Sequence, residues 1–215
     1  MARRRPRRAT AYRRKAPTRA PYDVALILCE GKKTEPEYLK GLRDACGLNP
    51  ANIWIVAADG NDPVSIVKQA IEAYSRSPGE FDKVFCVFDR DGHANYPEAH
   101  ALVANSPLRR KGILSTIASV PCFEIWVLLH YAYSTAPFVT SGGRSACENV
   151  IAAIRGHLPE YEKAFEGVFE KLRPLSDTAI THGDRLALHN EQTGSENPAT
   201  KIHELVKYLR SLKRD

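Results

Sequence analysis

The order of apolar runs in this chain predicts an α/β fold: a parallel sheet of about four strands flanked by helices, followed by a C-terminal helical extension. Three observations carry that expectation. Short, predominantly apolar segments recur four times within the first 120 residues. Between them lie stretches with helical spacing of apolar residues and recognisable start and stop signals. After a Ser-, Pro- and Gly-containing stretch at 134–143, only helical patterns follow. Unbroken apolar runs belong to strands covered on both faces, and strands alternating with helices pair in parallel.

The first run, Asp23–Cys29, stops at Glu30-Gly31. A helix is expected from Thr34 to about Cys46, with Thr34 as N-cap, Glu37 completing a capping box, Pro36 in the first turn and Gly47 as the stop. Asn52–Ala58 reads as the second strand. Asp62-Pro63 opens a helix over Val64–Arg76, whose residues Val64, Val67, Ala70, Ile71 and Tyr74 share one face. Lys83–Phe88 is the third strand and ends in Asp89-Arg90-Asp91-Gly92. A short helix over Pro97–Asn105, a fourth strand over Gly112–Val120 and a helix over Cys122–Tyr133 complete the α/β part. The stretches 144–173 and Ala199–Lys213 read as helical; Asp177–Gln192 is a weaker helix with a loop expected at Gly183. The expected organisation is therefore a basic arm at 1–20, an α/β core at 21–135 and a helical region at 136–215 packing on it.

The 215 residues are 43% hydrophobic and 26% charged, an ordinary soluble composition with material for a substantial core. No apolar run is long enough to span a bilayer, and no apolar segment of a secretory signal follows the Arg-rich start; an organelle transit peptide is the alternative reading of that start. The net charge of +6 is uneven. Residues 1–20 hold nine of the 31 basic residues and none of the 25 acidic ones, which leaves 22 basic against 25 acidic elsewhere. The arm cannot bury apolar surface and is expected to be disordered in isolation. Arginine forks match phosphates, so a nucleic-acid partner is one reading of the arm, and a solvated tail without a specific partner is the other. Five cysteines without a CxxC pair point to a reducing, cytoplasmic setting, with neither a disulfide framework nor structural zinc.

Parallel strands present their carboxyl ends along one edge, where ligands of open α/β sheets bind. Acids recur there: Glu30 after the first strand, Asp89 and Asp91 after the third, and Glu124 a few residues after the fourth. Carboxylates brought together repel unless protons or a cation intervene, and hard oxygen donors suit Mg²⁺ or Mn²⁺ rather than zinc. On an extended segment Asp89 and Asp91 point one way and Arg90 the other. A DxD pair alone is weak evidence, since solvated turn aspartates are common.

Together, strand-Glu30-Gly31 and strand-Asp89-Arg90-Asp91 resemble the Toprim domain of topoisomerases, primases and related nucleases. Four blocks, CEGKKTEPEYL (29–39), VFDRDGH (87–93), VPCFEIWVLLHY (120–131) and ENPATKIHEL (196–205), resemble the RloB family in order and spacing. The resemblance spans nearly the whole body and leaves out the arm. It implies a Toprim-like fold and metal-dependent cleavage of DNA or RNA. It also implies association with bacterial abortive-infection or phage-defence loci, with an ATPase partner encoded nearby. The Toprim glutamate maps to Glu30 and its aspartates to Asp89 and Asp91, the three holding one or two cations that activate water at the scissile phosphate. Glu30 is alternatively a general acid or base. No tyrosine stands at the topoisomerase nucleophile position, so strand passage is not implied.

Other candidates carry two readings each. Glu35 is a metal ligand or a favourable charge in a first helical turn, where Glu37 lies too. Lys32 and Lys33 bind substrate phosphate or are solvated. Glu124, in an apolar helix, serves the site or a structural hydrogen bond. His93 is a proton donor or phosphate contact, or a loop histidine without a role. Lys201 reaches a phosphate at a helix N-terminus capped by Asn197, with Pro198 at its first position, or that helix start is merely capped. Trp126 and His130 are expected in the core. Two other functions remain open. A haloacid-dehalogenase-type phosphatase fits VFCVFDRDGH, although His93 stands where that family usually has Thr. A non-catalytic nucleic-acid-binding subunit is the other.

Overall fold

The computed structural model describes residues 22–60, 62–90 and 92–212. The basic arm at 1–20 and Asp91 lie outside the described residues. β1 (Ala25–Cys29), β2 (Ile53–Ala57), β3 (Lys83–Asp89) and β4 (Leu114–Val120) run parallel, and a two-residue β5 (Ala199–Thr200) adds antiparallel to β4. The sheet order is β2-β1-β3-β4-β5. The chain steps from β1 outward to β2 and then returns to the opposite side of β1. The boundary between β1 and β3 is thus the topological switch point, where a crevice opens beyond the strand ends.

Each face of the sheet is covered, as the unbroken apolar runs require. Ile27, Ile55, Phe85, Val87 and Ile117 face one core with α1 (Thr34–Ala45). The same core takes in α5 (Glu124–Leu129), α6 (Ala146–Arg155), α7 (Val168–Leu172), α8 (Ser176–Thr193) and α9 (Ile202–Ser211). Leu26, Leu28, Val84, Cys86 and Phe88 face the other, under α2 (Pro63–Arg76) and α3 (Tyr96–Asn105), with α4 (Pro107–Arg110) leading into β4. Trp126 is fully buried in the first core. His130 is buried beside it, bonded through Nδ1 to the Trp126 carbonyl at 2.8 Å, and burial pulls its pKa down to about 4.

Several local expectations are corrected by tertiary contacts. The sheet has a fifth strand, and α9 begins at Ile202 because Ala199 and Thr200 pair with Val120 and Ser119. Asn197 does not cap α9: its amide clasps Phe138, accepting from the Phe138 N–H at 3.1 Å and donating to its carbonyl at 2.7 Å. Thr34 does not cap α1 either, and no capping box forms there; its hydroxyl accepts from the Ala164 N–H at 3.0 Å. Helix α8 runs unbroken through Gly183, where a Cβ would lie 2.8 Å from the His203 side chain. Gly183 is a packing glycine rather than a turn. The helical stretch expected over 144–173 is interrupted, α6 ending at Arg155 and α7 starting at Val168. Finally, Cys122 and Cys147, 25 residues apart, form a disulfide at the start of α5, against the expectation of none. Packing of α5 on α6 makes that pairing, and nothing local to either cysteine announces it.

No helix among the described residues is long and apolar enough to cross a membrane.

Candidate functional site

The carboxyl edge of the sheet gathers Glu30, Lys32, Lys33, Glu35, Asp89, His93 and Glu124 around one cleft of about 480 Å³. β1 delivers Glu30, whose N–H is held by the Val87 carbonyl at 2.9 Å. Its carboxylate bridges to the neighbouring strand end: Oε2 accepts from the Asp89 N–H at 2.9 Å, and Oε1 lies 2.9 Å from His93 Nε2. Glu30 therefore fixes the loop after β3 and orients His93, a pairing between residues 63 apart that the sequence does not announce.

Glu35 comes to the cleft because Gly31 leaves room for it. A Cβ on Gly31 would overlap the Glu35 carboxylate, so the Glu-Gly pair at the end of β1 does two jobs. Glu35 is 7% exposed, and burial, aided by the charges of Glu124 and Glu30, pushes its pKa up to about 7. Asp89 is raised well above the usual carboxylate range by burial and by Glu35, Glu124 and Glu30, partly countered by a hydrogen bond from the Phe123 main chain. Glu124 is 3% exposed at the first residue of α5, with Oε2 3.3 Å from the Cys147 sulfur. Glu35 and Asp89 thus feel the charges of Glu30 and Glu124 across one cleft, and such a set is relieved by protons or by a cation.

The donor set fits a hard divalent cation. Its oxygens are carboxylates on parallel strand ends and on two helix starts, and for Glu35 and Asp89 burial, with the neighbouring acids, raises the pKa. The side chains are not closed around such an ion. Among the described residues the one trio of His, Cys or acid side-chain atoms lying within 4.8 Å of one another is Cys122, Glu124 and Cys147, and its two sulfurs are joined in the disulfide, so it offers no thiolate to a metal. Glu30, Glu35 and Asp89 border the same cleft at wider spacing, with Glu30 engaged by His93.

Sequence reasoning missed the other wall. Lys163 and Ala164, from the loop between α6 and α7, close over the cleft, and the Thr34–Ala164 hydrogen bond pins that loop to α1. Ala164 adopts φ 63° there. The Lys163 charge lowers the proton affinity of Glu35, opposing the acids. No local signal marks Lys163, which stands in a polar stretch about 130 residues from Glu30. Lys201 is placed elsewhere: it lines a neighbouring cleft, with Arg90. Arg90 turns away from the acids as the strand alternation requires, pairing with Glu196 at 2.9 Å.

The family model described as RloB-like protein matches residues 25–209, nearly all of the chain. No curated protein and no solved structure matches it. The chain belongs to the RloB-like family.

Proposed function

We propose, from membership of the RloB-like family as the premise, that this protein is a divalent-metal-dependent nuclease hydrolysing phosphodiester bonds of DNA or RNA. The observation that carries the reading is the convergence of Glu30, Glu35, Asp89 and Glu124 on one cleft at the switch point, bordered by Lys32, Lys33 and Lys163. Metal-assisted phosphodiester hydrolysis uses acids to hold cations and basic side chains to hold the anionic backbone, and both line this cleft.

Asp89, Glu35 and Glu30 would hold Mg²⁺ or Mn²⁺, with Asp91 beside them in sequence and Glu124 behind. The cation, when bound, supplies water activation and charge neutralisation at the scissile phosphate. Lys32, Lys33 and Lys163 would orient the flanking phosphates. His93, held by Glu30, is the group positioned to give a proton to the departing oxygen. A role in anti-phage defence, with a nearby-encoded ATPase partner, follows from the family resemblance and forms part of the proposal; so does a cytoplasmic site of action, although its ground in unpaired cysteines does not hold for Cys122 and Cys147.

The test is incubation of the purified chain with labelled single- and double-stranded DNA and RNA in Mg²⁺, Mn²⁺ or EDTA. Cleavage should require the metal and fall by at least roughly 10²–10³-fold in Asp89→Asn, the scale of losing one preorganised polar group at a reacting centre. Cleavage that persists in EDTA or in Asp89→Asn would defeat the reading. Release of phosphate from small monoesters through a covalent aspartyl intermediate would favour the phosphatase instead.

A further inference from the structure

A second, larger cleft of about 740 Å³ opens beside the acidic one, between α3, the end of β4, β5 and α8. Its size falls within the roughly 300–1,000 Å³ of small-molecule sites. The two clefts share His93 as a common wall. One side is aromatic: Tyr96 and His100 meet edge to face at 4.6 Å, and both rings pack on Phe88. The other side is cationic. Arg90 lies over the Tyr96 ring at 5.8 Å, and Lys201 is exposed at the mouth with no ion-pair partner among the described residues. Glu196 and Glu204 also border the cleft, Glu196 engaging Arg90. Two buried polar atoms on its wall residues, His100 Nε2 and Asn190 Oδ1, have no hydrogen-bond partner. Buried orphans of this kind are uncommon and costly.

We propose that this cleft is a nucleotide subsite, taking one unpaired nucleotide of the substrate strand next to the phosphate held at the acidic cleft. It rests on the nuclease reading for the identity of that phosphate. The aromatic side offers a stacking platform for any base, and Arg90 and Lys201 meet the sugar-phosphate. The orphan groups of His100 and Asn190 are available to a base edge after small side-chain adjustments. A base inside a duplex presents no free face, so the cleft selects single-stranded or unpaired nucleic acid. The cleft joins residues 90–100 to residues 187–204, so only a chain folded through β5 possesses it.

The experiment measures binding of labelled single strands of about twelve nucleotides, and of a hairpin duplex, to the full chain with EDTA present. Proteins compared are the wild type, Tyr96→Leu and Lys201→Gln. The single strand should bind more tightly than the duplex. Tyr96→Leu and Lys201→Gln should each weaken single-strand binding by about tenfold while barely changing the duplex, the scale expected of one lost stacking or phosphate contact. Lys201 is exposed, so its variant should fold even if Tyr96→Leu does not, and melting curves check both. Unchanged single-strand affinity in a folded Lys201→Gln, or equal binding of strand and duplex, would overturn the proposal. Adenosine monophosphate binding more tightly than the strand would also overturn it, in favour of a free-nucleotide site. The two readings separate cleanly. Metal-dependent cleavage with unaltered binding in these variants removes the subsite and keeps the nuclease. Variant-sensitive binding without cleavage under any metal does the reverse.

Discussion

The acidic cleft and the cleft beside it share His93 yet are assembled by opposite routes. The acids arrive by strand topology. Glu30 and Asp89 each follow a parallel strand directly, and parallel strands end on one edge. Lys163 and Ala164 over the acids, and Asn190 and Lys201 in the second cleft, come from the last third of the chain, carried by the α6–α7 loop, α8 and the β5–α9 junction. The strand ends and the two helix starts beside them therefore gather negative charge that is unfavourable by itself, and the last third of the chain adds Lys163 as counter-charge and supplies cover. Stability and function should consequently separate on the acidic side, while the buried contacts that dock the C-terminal elements should carry both.

The sharpest way to break this comparison is Gly31→Ala. A methyl there overlaps only the far end of the Glu35 side chain, which can swing away, so the protein should fold with a melting temperature close to the wild type's. Glu35 would leave the cleft, however, and metal-dependent cleavage should fall by roughly 10–100-fold, as when the supporting surroundings of a metal site are disturbed. Full activity in this variant would show that Glu35 is only a helix-start charge.

Next in size is the pH response of the metal-free protein. The pKa of Glu35 lies near 7 in the fold against 4.5 ordinarily, so its protonated form is favoured by folding. That contribution is complete below about pH 4.5 and lost as pH rises through about 7. Asp89 shifts in the same direction. Melting temperature without metal should therefore decline across that window, by roughly 2–4 °C per kcal/mol for a domain of this size. Added Mn²⁺ should restore it above neutrality. Glu35→Gln should flatten both responses; a wild type indifferent to pH and metal would contradict the electrostatic account.

Lys163→Ala tests the counter-charge. Lys163 is exposed, which limits its effect to the scale of a surface pair, about 0.2–1 kcal/mol. Cleavage should drop a few-fold and its pH optimum should move upward, because Glu35 loses the charge that eases its ionisation. The smallest effect is expected from Thr34→Val, which removes the hydrogen bond to the Ala164 N–H. It should cost about 1 kcal/mol in denaturant unfolding and release the α6–α7 loop, seen as faster hydrogen exchange at Ala164. Unchanged exchange there would mean that the loop is held by its own packing.

What the amino-acid sequence determined by itself was whatever depends on neighbours along the chain. Apolar runs made β1 to β4, Asp62 capped α2 through the Val64 and Ser65 N–H groups, and Gly47 ended α1 at φ 67°. The acids at the strand ends were legible because strand polarity alone sends Glu30 and Asp89 to the same edge. Tertiary structure decided the rest, because those contacts join residues far apart. Thr34 and Asn197 look like helix caps locally, yet each finds a stronger partner across the fold, at Ala164 and Phe138. Gly183 signals a turn in isolation and instead admits the His203 side chain. Cys122 and Cys147 carry no spacing motif, and only the packing of α5 on α6 makes them partners. The same reason hides Lys163 and the second cleft from a linear reading. A charge or a cleft wall contributed from across the fold leaves no periodicity behind; its position is set by the docking of the C-terminal helices on the sheet.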